Sequence, residues 1–137
     1  MALKAKKPRS LSSQSKRPLG DCYDAAGKYI LYASKLHMGG GEVGDAEGLI
    51  LVHAEVNGQG PLEGTTFGHA LVIDTATDTV IDKSNGRDLH MPKDLYYAIA
   101  GIPWIDNYFE YTPEQMMKNL VKYRHWGPWD LKTRSGL

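Results

Sequence analysis

Three residues of this chain have the types that a nucleophilic site needs: Cys22, which is the only cysteine, His69 and Asp82. A thiol becomes a strong nucleophile when a nearby histidine removes its proton, and a third polar group then fixes the orientation and tautomer of that histidine. The three residues would act in that order as nucleophile, general base and orienting group. Such a site would attack a carbonyl carbon and form a covalent thioacyl intermediate, with no cofactor.

The sequence places Cys22 at the start of a helix. Apolar residues recur at intervals of three and four over residues 22–37, which is the spacing of one buried helical face. Asp21 is a suitable N-cap, because its carboxylate can accept from the free N–H groups of the first turn. Those N–H groups and the partial positive charge of the helix end favour a thiolate, and the backbone N–H of Cys22 is the candidate oxyanion donor. The flanking Asp21 and Asp24 indicate some exposure of Cys22, although their charges oppose a thiolate.

His69 and Asp82 lie on two strands that a short loop should join. Residues 67–74 and 79–83 are rich in β-forming residues, and residues 75–78 have the length and composition of a hairpin loop. Because side chains alternate across a strand and this loop has an even number of residues, His69 and Asp82 should share one face. Gly68 would allow close approach where the first strand begins.

Other residues compete for these roles. His53 lies in the middle of a predicted strand, residues 49–56, and is either a satisfied core histidine or an alternative base. Asn85 is the alternative to Asp82, which would otherwise cap the turn at residues 84–86. Cys22 itself has an alternative role as a small buried hydrophobe at a helix end. No histidine pair has a recognised ligand spacing, so we expect no metal.

The C-terminal half adds two helices and a strand to the prediction. A helix over residues 93–100 should end at Gly101, and residues 108–111 should form a short strand. Thr112 and Gln115 match a capping box that opens a last helix, which Gly127 and Pro128 should end. Its predicted buried stripe is Met116, Met117, Leu120, Val121 and Tyr123, and Trp126 and Trp129 should cover the core.

Two short motifs resemble a known superfamily. Asp21-Cys22-Tyr23-Asp24-Ala25 resembles the Asp-Cys-Ser-Gly-like opening of the catalytic helix in NlpC/P60 cysteine peptidases, and Gly68-His69-Ala70-Leu71-Val72-Ile73 is similar to their Gly-His-Val-Gly-Ile strand. Ile81-Asp82 falls where that family carries its third polar residue. His69-Ala70 and Val80-Ile81-Asp82-Lys83-Ser84 are also similar to the His-Ala-Trp and Asp-Pro-Ser/Thr pattern of transglutaminase-like proteins.

The resemblance covers residues 20–85 and points to the papain-like superfamily, to which both groups belong. It implies an α+β papain-like fold, in which an N-terminal catalytic helix packs on a small antiparallel sheet and two further helices follow. It also implies a Cys-His-Asp or Cys-His-Asn triad, acting as a hydrolase or acyl transferase on an amide or peptide bond.

Charge divides the chain into two parts. Residues 1–18 contain six basic residues and no acid, which leaves ten basic and sixteen acidic residues in the remainder. We therefore expect a basic, flexible tail at residues 1–19 and a single catalytic domain at residues 20–137. Such a tail is either a solvated extension or a segment that binds RNA or an acidic partner, and the binding role would also suit a non-enzymatic binding protein on the same scaffold. Without a long apolar run or the apolar core of a signal peptide, the sequence predicts a cytoplasmic monomer with no membrane partner.

Overall fold

The computed structural model describes residues 21–34, 46–58, 61, 63–102 and 106–132. Within these ranges the protein is a mixed α+β fold with three α-helices and one five-stranded antiparallel sheet, in the strand order β4-β3-β2-β1-β5. The elements in chain order are α1 (Cys22–Ser34), β1 (Leu49–Asn57), β2 (Thr66–Asp74), β3 (Thr79–Asp82), β4 (Leu89–Pro92), α2 (Lys93–Ala100), β5 (Tyr108–Tyr111) and α3 (Pro113–Tyr123). A 3-10 turn, Ser84–Gly86, connects β3 to β4.

The sheet separates two apolar cores, because alternate side chains of its central strands point to opposite faces. Leu51, Ala70 and Val72 pack with residues of α1 and α3 on one face. Val52, Leu71 and Ile73 pack with the two tyrosines of α2 on the other face. Because both faces of β1 and β2 are buried, the sequences of these two strands are almost continuously apolar.

The β2–β3 hairpin has the register that its even-length loop predicts. Val72 pairs with Ile81 and Asp74 pairs with Thr79, which places His69 and Asp82 on the same face of the sheet. Since β3 ends at Asp82, its ladder covers β2 only from Val72 to Asp74. The segment of β2 that carries His69 therefore extends beyond this ladder, towards the Ser84–Gly86 turn and the start of α1.

The helix predictions are confirmed at their starts and partly wrong at one end. α2 spans the predicted residues and ends at Gly101, whose φ of 67° is a left-handed conformation. α3 opens with the predicted capping box, in which Gln115 N donates to Thr112 Oγ1 (3.1 Å) and Thr112 N donates to Gln115 Oε1 (2.9 Å). However, α3 ends at Tyr123, before Gly127, because Arg124 adopts a left-handed conformation.

The predicted buried stripe of α3 is wrong at its C-terminal end. Met116 is fully buried, whereas Val121 is 74% exposed and Tyr123 is also exposed. Val121 follows Met116 by five positions, which turns it well away from the buried face. Trp126 and Trp129 pack against the core as predicted.

One strand was not predicted, and several predicted features lie outside the described residues. β4 pairs with β3 at the edge of the sheet, where the sequence reads as a loop before Pro92. The basic tail falls in residues 1–20 and the predicted last turn of the first helix in residues 35–45, and both stretches lie beyond the described ranges. In the part of the chain that the structure describes, no helix has the length and apolar character to cross a membrane.

Candidate functional site

Cys22 is the first residue of α1, as the sequence predicts, and its side chain is completely buried. The backbone carbonyl of Asp21 accepts from Ala25 N at 2.9 Å, which closes the first helical turn. The expected exposure of Cys22 is wrong, because neither flanking acid draws it into solvent. Asp24 pairs with Lys28 at 3.5 Å, and Asp21 directs its carboxylate to the Ser84–Gly86 turn.

His69 and Asp82 form a buried pair between neighbouring strands. Nε2 of His69 donates to Oδ2 of Asp82 at 3.1 Å, and both side chains are almost completely excluded from solvent. The predicted meeting of these two residues is therefore confirmed, and it follows directly from the even register of the hairpin.

Asp82 accepts from five donors on three parts of the chain. Oδ1 accepts from the backbone N of Ser84 (2.9 Å) and from its Oγ (2.6 Å). Oδ2 accepts from His69, from the hydroxyl of Tyr96 on α2 (2.8 Å) and from Nη1 of Arg87 (3.3 Å). A carboxylate with only donors around it is stabilised in its ionised form. Burial raises the pKa of Asp82, but the hydrogen bonds from His69 and Ser84 outweigh burial and hold it below its ordinary range.

This arrangement fixes the tautomer of His69. Because Oδ2 of Asp82 can only accept, Nε2 carries the proton and the lone pair of a neutral ring lies on Nδ1. Nδ1 is buried and has no partner with hydrogen-bond geometry among the described residues. Cys22 is among the groups whose interactions raise the pKa of His69. In a neutral ring, Nδ1 is therefore the nitrogen that can accept a proton.

Asp82 and Cys22 both raise the pKa of His69. Burial alone lowers the pKa of His69, but the hydrogen bond to Asp82 and the interactions with Cys22 raise it above its ordinary value of 6.5, to about 9. A ring that keeps its proton at neutral pH stabilises a negative charge beside it. The site therefore holds His69 as an imidazolium against an ionised carboxylate.

His53, the alternative base, lies on the opposite face of the sheet. It pairs with Ala70, whereas His69 pairs with Ala54, so the two histidines point away from each other. The His53 ring is fully buried, and its two nitrogens have no hydrogen-bond partner in the described part of the chain. Burial lowers the pKa of His53 to about 3, so the ring is neutral. The structure therefore places His53 in the core and not with Asp82.

Asn85, the alternative third residue, contributes its backbone and not its side chain. Its N–H donates to the Asp21 carboxylate, at 2.9 Å from Oδ1 and 3.2 Å from Oδ2. The bonds from Ser84 to Asp82 agree with the alternative role of Asp82 as a cap of this turn, whereas sequence reasoning missed Tyr96 as a partner. Ser84 had a local signal, since serine two residues after an aspartate often closes a side-chain turn. Tyr96 had none, because helical spacing indicates burial without indicating the partner.

Neither a metal site nor a similar known protein accompanies the geometry of this site in the described residues. Across the described ranges, no group of three or more His, Cys, Asp or Glu side chains is placed to hold a metal ion. Comparison with known proteins gives no matching family model, no similar curated protein and no similar solved structure.

Proposed function

We propose that this protein is a cysteine hydrolase or acyl transferase of papain-like architecture that acts on an amide or peptide bond. The observation that supports the proposal is the buried relay in which Asp82 holds Nε2 of His69 and leaves Nδ1 for Cys22. The helix start contributes a second favourable feature, since its free N–H groups stabilise negative charge on Cys22 and on an oxyanion.

The reaction begins when Nδ1 of His69 takes the proton from the Cys22 thiol. The thiolate attacks the carbonyl carbon, the carbonyl electron pair moves to oxygen, and the backbone N–H of Cys22 donates to that oxyanion. When the oxyanion collapses, the bond to the leaving amine breaks and the amine takes the proton from Nδ1. A thioacyl enzyme remains, and water or a second amine then attacks it with His69 again as the base.

Asp82 serves this cycle without gaining a proton. Each time His69 becomes an imidazolium, the ionised carboxylate at 3.1 Å stabilises its charge and fixes the orientation of the ring. The four other hydrogen bonds to Asp82 prevent the carboxylate from rotating away.

The burial of Cys22 adds a requirement to the proposal. With its side chain 0% exposed, no acyl carbon reaches the sulfur unless the residues that cover the first turn of α1 move. Reaction with substrate therefore proceeds from an opened form, and a small reagent should reach Cys22 faster than a bulky one.

Alkylation by iodoacetamide tests the relay, and the single cysteine makes mass spectrometry a reading of one site. At about pH 6 an ordinary thiol is almost entirely protonated, so rapid alkylation there reports a stabilised thiolate. We expect His69→Ala and Asp82→Asn to lower this rate by about tenfold or more. His90→Ala is the matched control, because the His90 side chain is exposed and, among the described residues, bonds to Asp88 and not to the site. Equal rates in the wild type and in His69→Ala would refute the mechanism.

The charge asymmetry of the sequence supports a second proposal, a binding role for the basic tail. Residues 1–18 hold six basic residues without an acid, a composition suited to RNA or to an acidic protein surface. Deletion of residues 1–18 should abolish salt-sensitive binding to a single-stranded RNA probe in fluorescence anisotropy while leaving the alkylation of Cys22 unchanged. Binding that ignores salt, or that survives the deletion, would contradict this role.

A further inference from the structure

One short turn contacts both ends of the candidate relay. In the Ser84–Gly86 turn, two consecutive backbone N–H groups donate to two different carboxylates. Ser84 N donates to Asp82, which orients His69, and Asn85 N donates to Asp21, which directly precedes Cys22. The turn therefore connects the orienting carboxylate to the start of the nucleophile's helix.

We infer that Asp21 is a positioning residue, which holds Cys22 beside His69 by fastening the start of α1 to the turn after β3. This inference rests on the proposed function, because it concerns the same nucleophile and base. Asp21 and Asn85 are 64 positions apart in the chain, so their contact is a tertiary link and not a local turn. Both carboxylate oxygens take part, and hydrogen bonds to a charged acceptor are roughly twice as strong as neutral ones.

No strand pairing links the start of α1 to Asp82. β1 holds His69 through its pairing with Ala54, but the ladder between β2 and β3 reaches only to Val72, and the first turn of α1 belongs to no strand pairing. Contacts between α1 and the Ser84–Gly86 turn bridge this gap. Without the Asp21 link, the helix start loses the hydrogen bond that sets its position relative to Asp82 and its partner His69.

The conformation of the turn explains why Asn85 can make this contact with its backbone. Asn85 has φ 55° and ψ 35°, and Gly86 has φ 78°, both left-handed. Successive N–H groups in such a turn form a concave site for anions, and asparagine tolerates the left-handed region better than most residues. Glycine tolerates it as well, so Asn85→Gly preserves the N–H donor.

Asp21 has two opposite effects on Cys22. Its negative charge opposes a thiolate, whereas its hydrogen bond from Asn85 N holds the start of α1 in place. Substitutions can separate these two effects. Asp21→Asn removes the charge but keeps an acceptor oxygen, and Asp21→Ser removes the carboxylate while keeping a good N-cap for α1.

The experiment combines Cys22 alkylation at about pH 6 with an NMR titration of the His69 ring in the full chain. We expect Asp21→Ser to lower the alkylation rate about tenfold and to move the His69 titration midpoint down towards 6.5, because the interactions with Cys22 that raise it are lost. Asp21→Asn should stay within about twofold of the wild type. Asp24→Ser is the matched control: Asp24 is a half-buried acid of the first turn of α1, and its side chain pairs with Lys28 on the same helix.

Three outcomes overturn the inference. They are wild-type behaviour of Asp21→Ser, equal defects in Asp21→Ser and Asp21→Asn, and a defect in Asp24→Ser as large as that in Asp21→Ser. Circular dichroism at the assay temperature shows whether each variant is folded. If the wild-type rate itself ignores His69→Ala, the proposed function fails. The NMR titration then still decides whether Asp21 positions Cys22 beside His69.

Discussion

Replacing His53 should change how the stability of the protein depends on pH. The His53 ring packs among Tyr23, Tyr111 and Trp129, with ring centroids 4.9, 5.1 and 5.1 Å away, and neither nitrogen has a hydrogen-bond partner in the described residues. Burial lowers its pKa from 6.5 to about 3, so the folded protein holds this ring neutral while the unfolded chain protonates it. Folding therefore prevents the protonation of His53 between about pH 6.5 and pH 3.

The sign and size of the effect follow from linkage. Between about pH 6.5 and pH 3 the unfolded state binds more protons at His53, so stability falls as the pH is lowered. The complete effect is about 5 kcal/mol, and at about pH 5 the loss is roughly 2 kcal/mol. For a chain of this size, that loss lowers the melting temperature by about 5 to 10 °C.

Urea denaturation at about pH 7 and pH 5 measures the effect in the wild type, His53→Phe and His53→Leu. The wild type should lose roughly 2 kcal/mol more than either variant, whatever their stabilities at neutral pH. Asp82 does not affect this comparison. Because its pKa is lowered, the stability that it contributes to the fold is lost only when the pH falls below its ordinary pKa of 3.8. The raised pKa of His69 has the opposite effect on stability. Its stabilising contribution is complete below pH 6.5 and is lost as the pH rises towards about 9. Parallel losses in all three proteins would show that His53 is not held neutral.

Two further substitutions test the packing and bonding around the site. Tyr96→Phe keeps the ring but removes the hydroxyl that donates to Asp82, so at neutral pH it should cost about 1 to 2 kcal/mol in urea denaturation, and an unchanged stability would mean that this bond contributes nothing. Gly27→Ala improves helix propensity, but the added Cβ would overlap the Trp126 ring, including Cζ3 at 2.8 Å. We therefore expect a net loss of about 1 kcal/mol in folding stability and altered tryptophan fluorescence. A variant more stable than the wild type would contradict this close packing.

The sequence was sufficient for those parts of the site that depend on local periodicity. The repeat of apolar residues after Asp21 places Cys22 at a helix start, and the alternation of β2 and β3 through a loop of even length brings His69 to Asp82. Both follow from spacings within a single helix or a single hairpin. The capping box of Thr112 is equally local, and it too was predicted correctly.

Features that depend on packing between distant elements could not be predicted. Whether His53 lies on the same face as His69 depends on the register between β1 and β2, which the connection between them sets. The burial of Cys22 depends on how α1 meets the rest of the chain, and the bond from Tyr96 depends on where α2 lies. The edge strand β4 is only four residues long, so its alternation is too brief to distinguish it from a loop.

The five hydrogen bonds to Asp82 have a consequence for how this protein would diverge. The carboxylate joins β2, the Ser84–Gly86 turn, Arg87 and α2, so its loss would damage the fold as well as the relay. Selection for folding alone would therefore preserve Asp82 in descendants that have no activity. Cys22 packs in the core, but it joins no comparable set of hydrogen bonds in the described part of the chain, so another small residue could fill its place. A lineage that abandoned the chemistry would lose the cysteine first, so variation at Cys22, and not at Asp82, would record that loss.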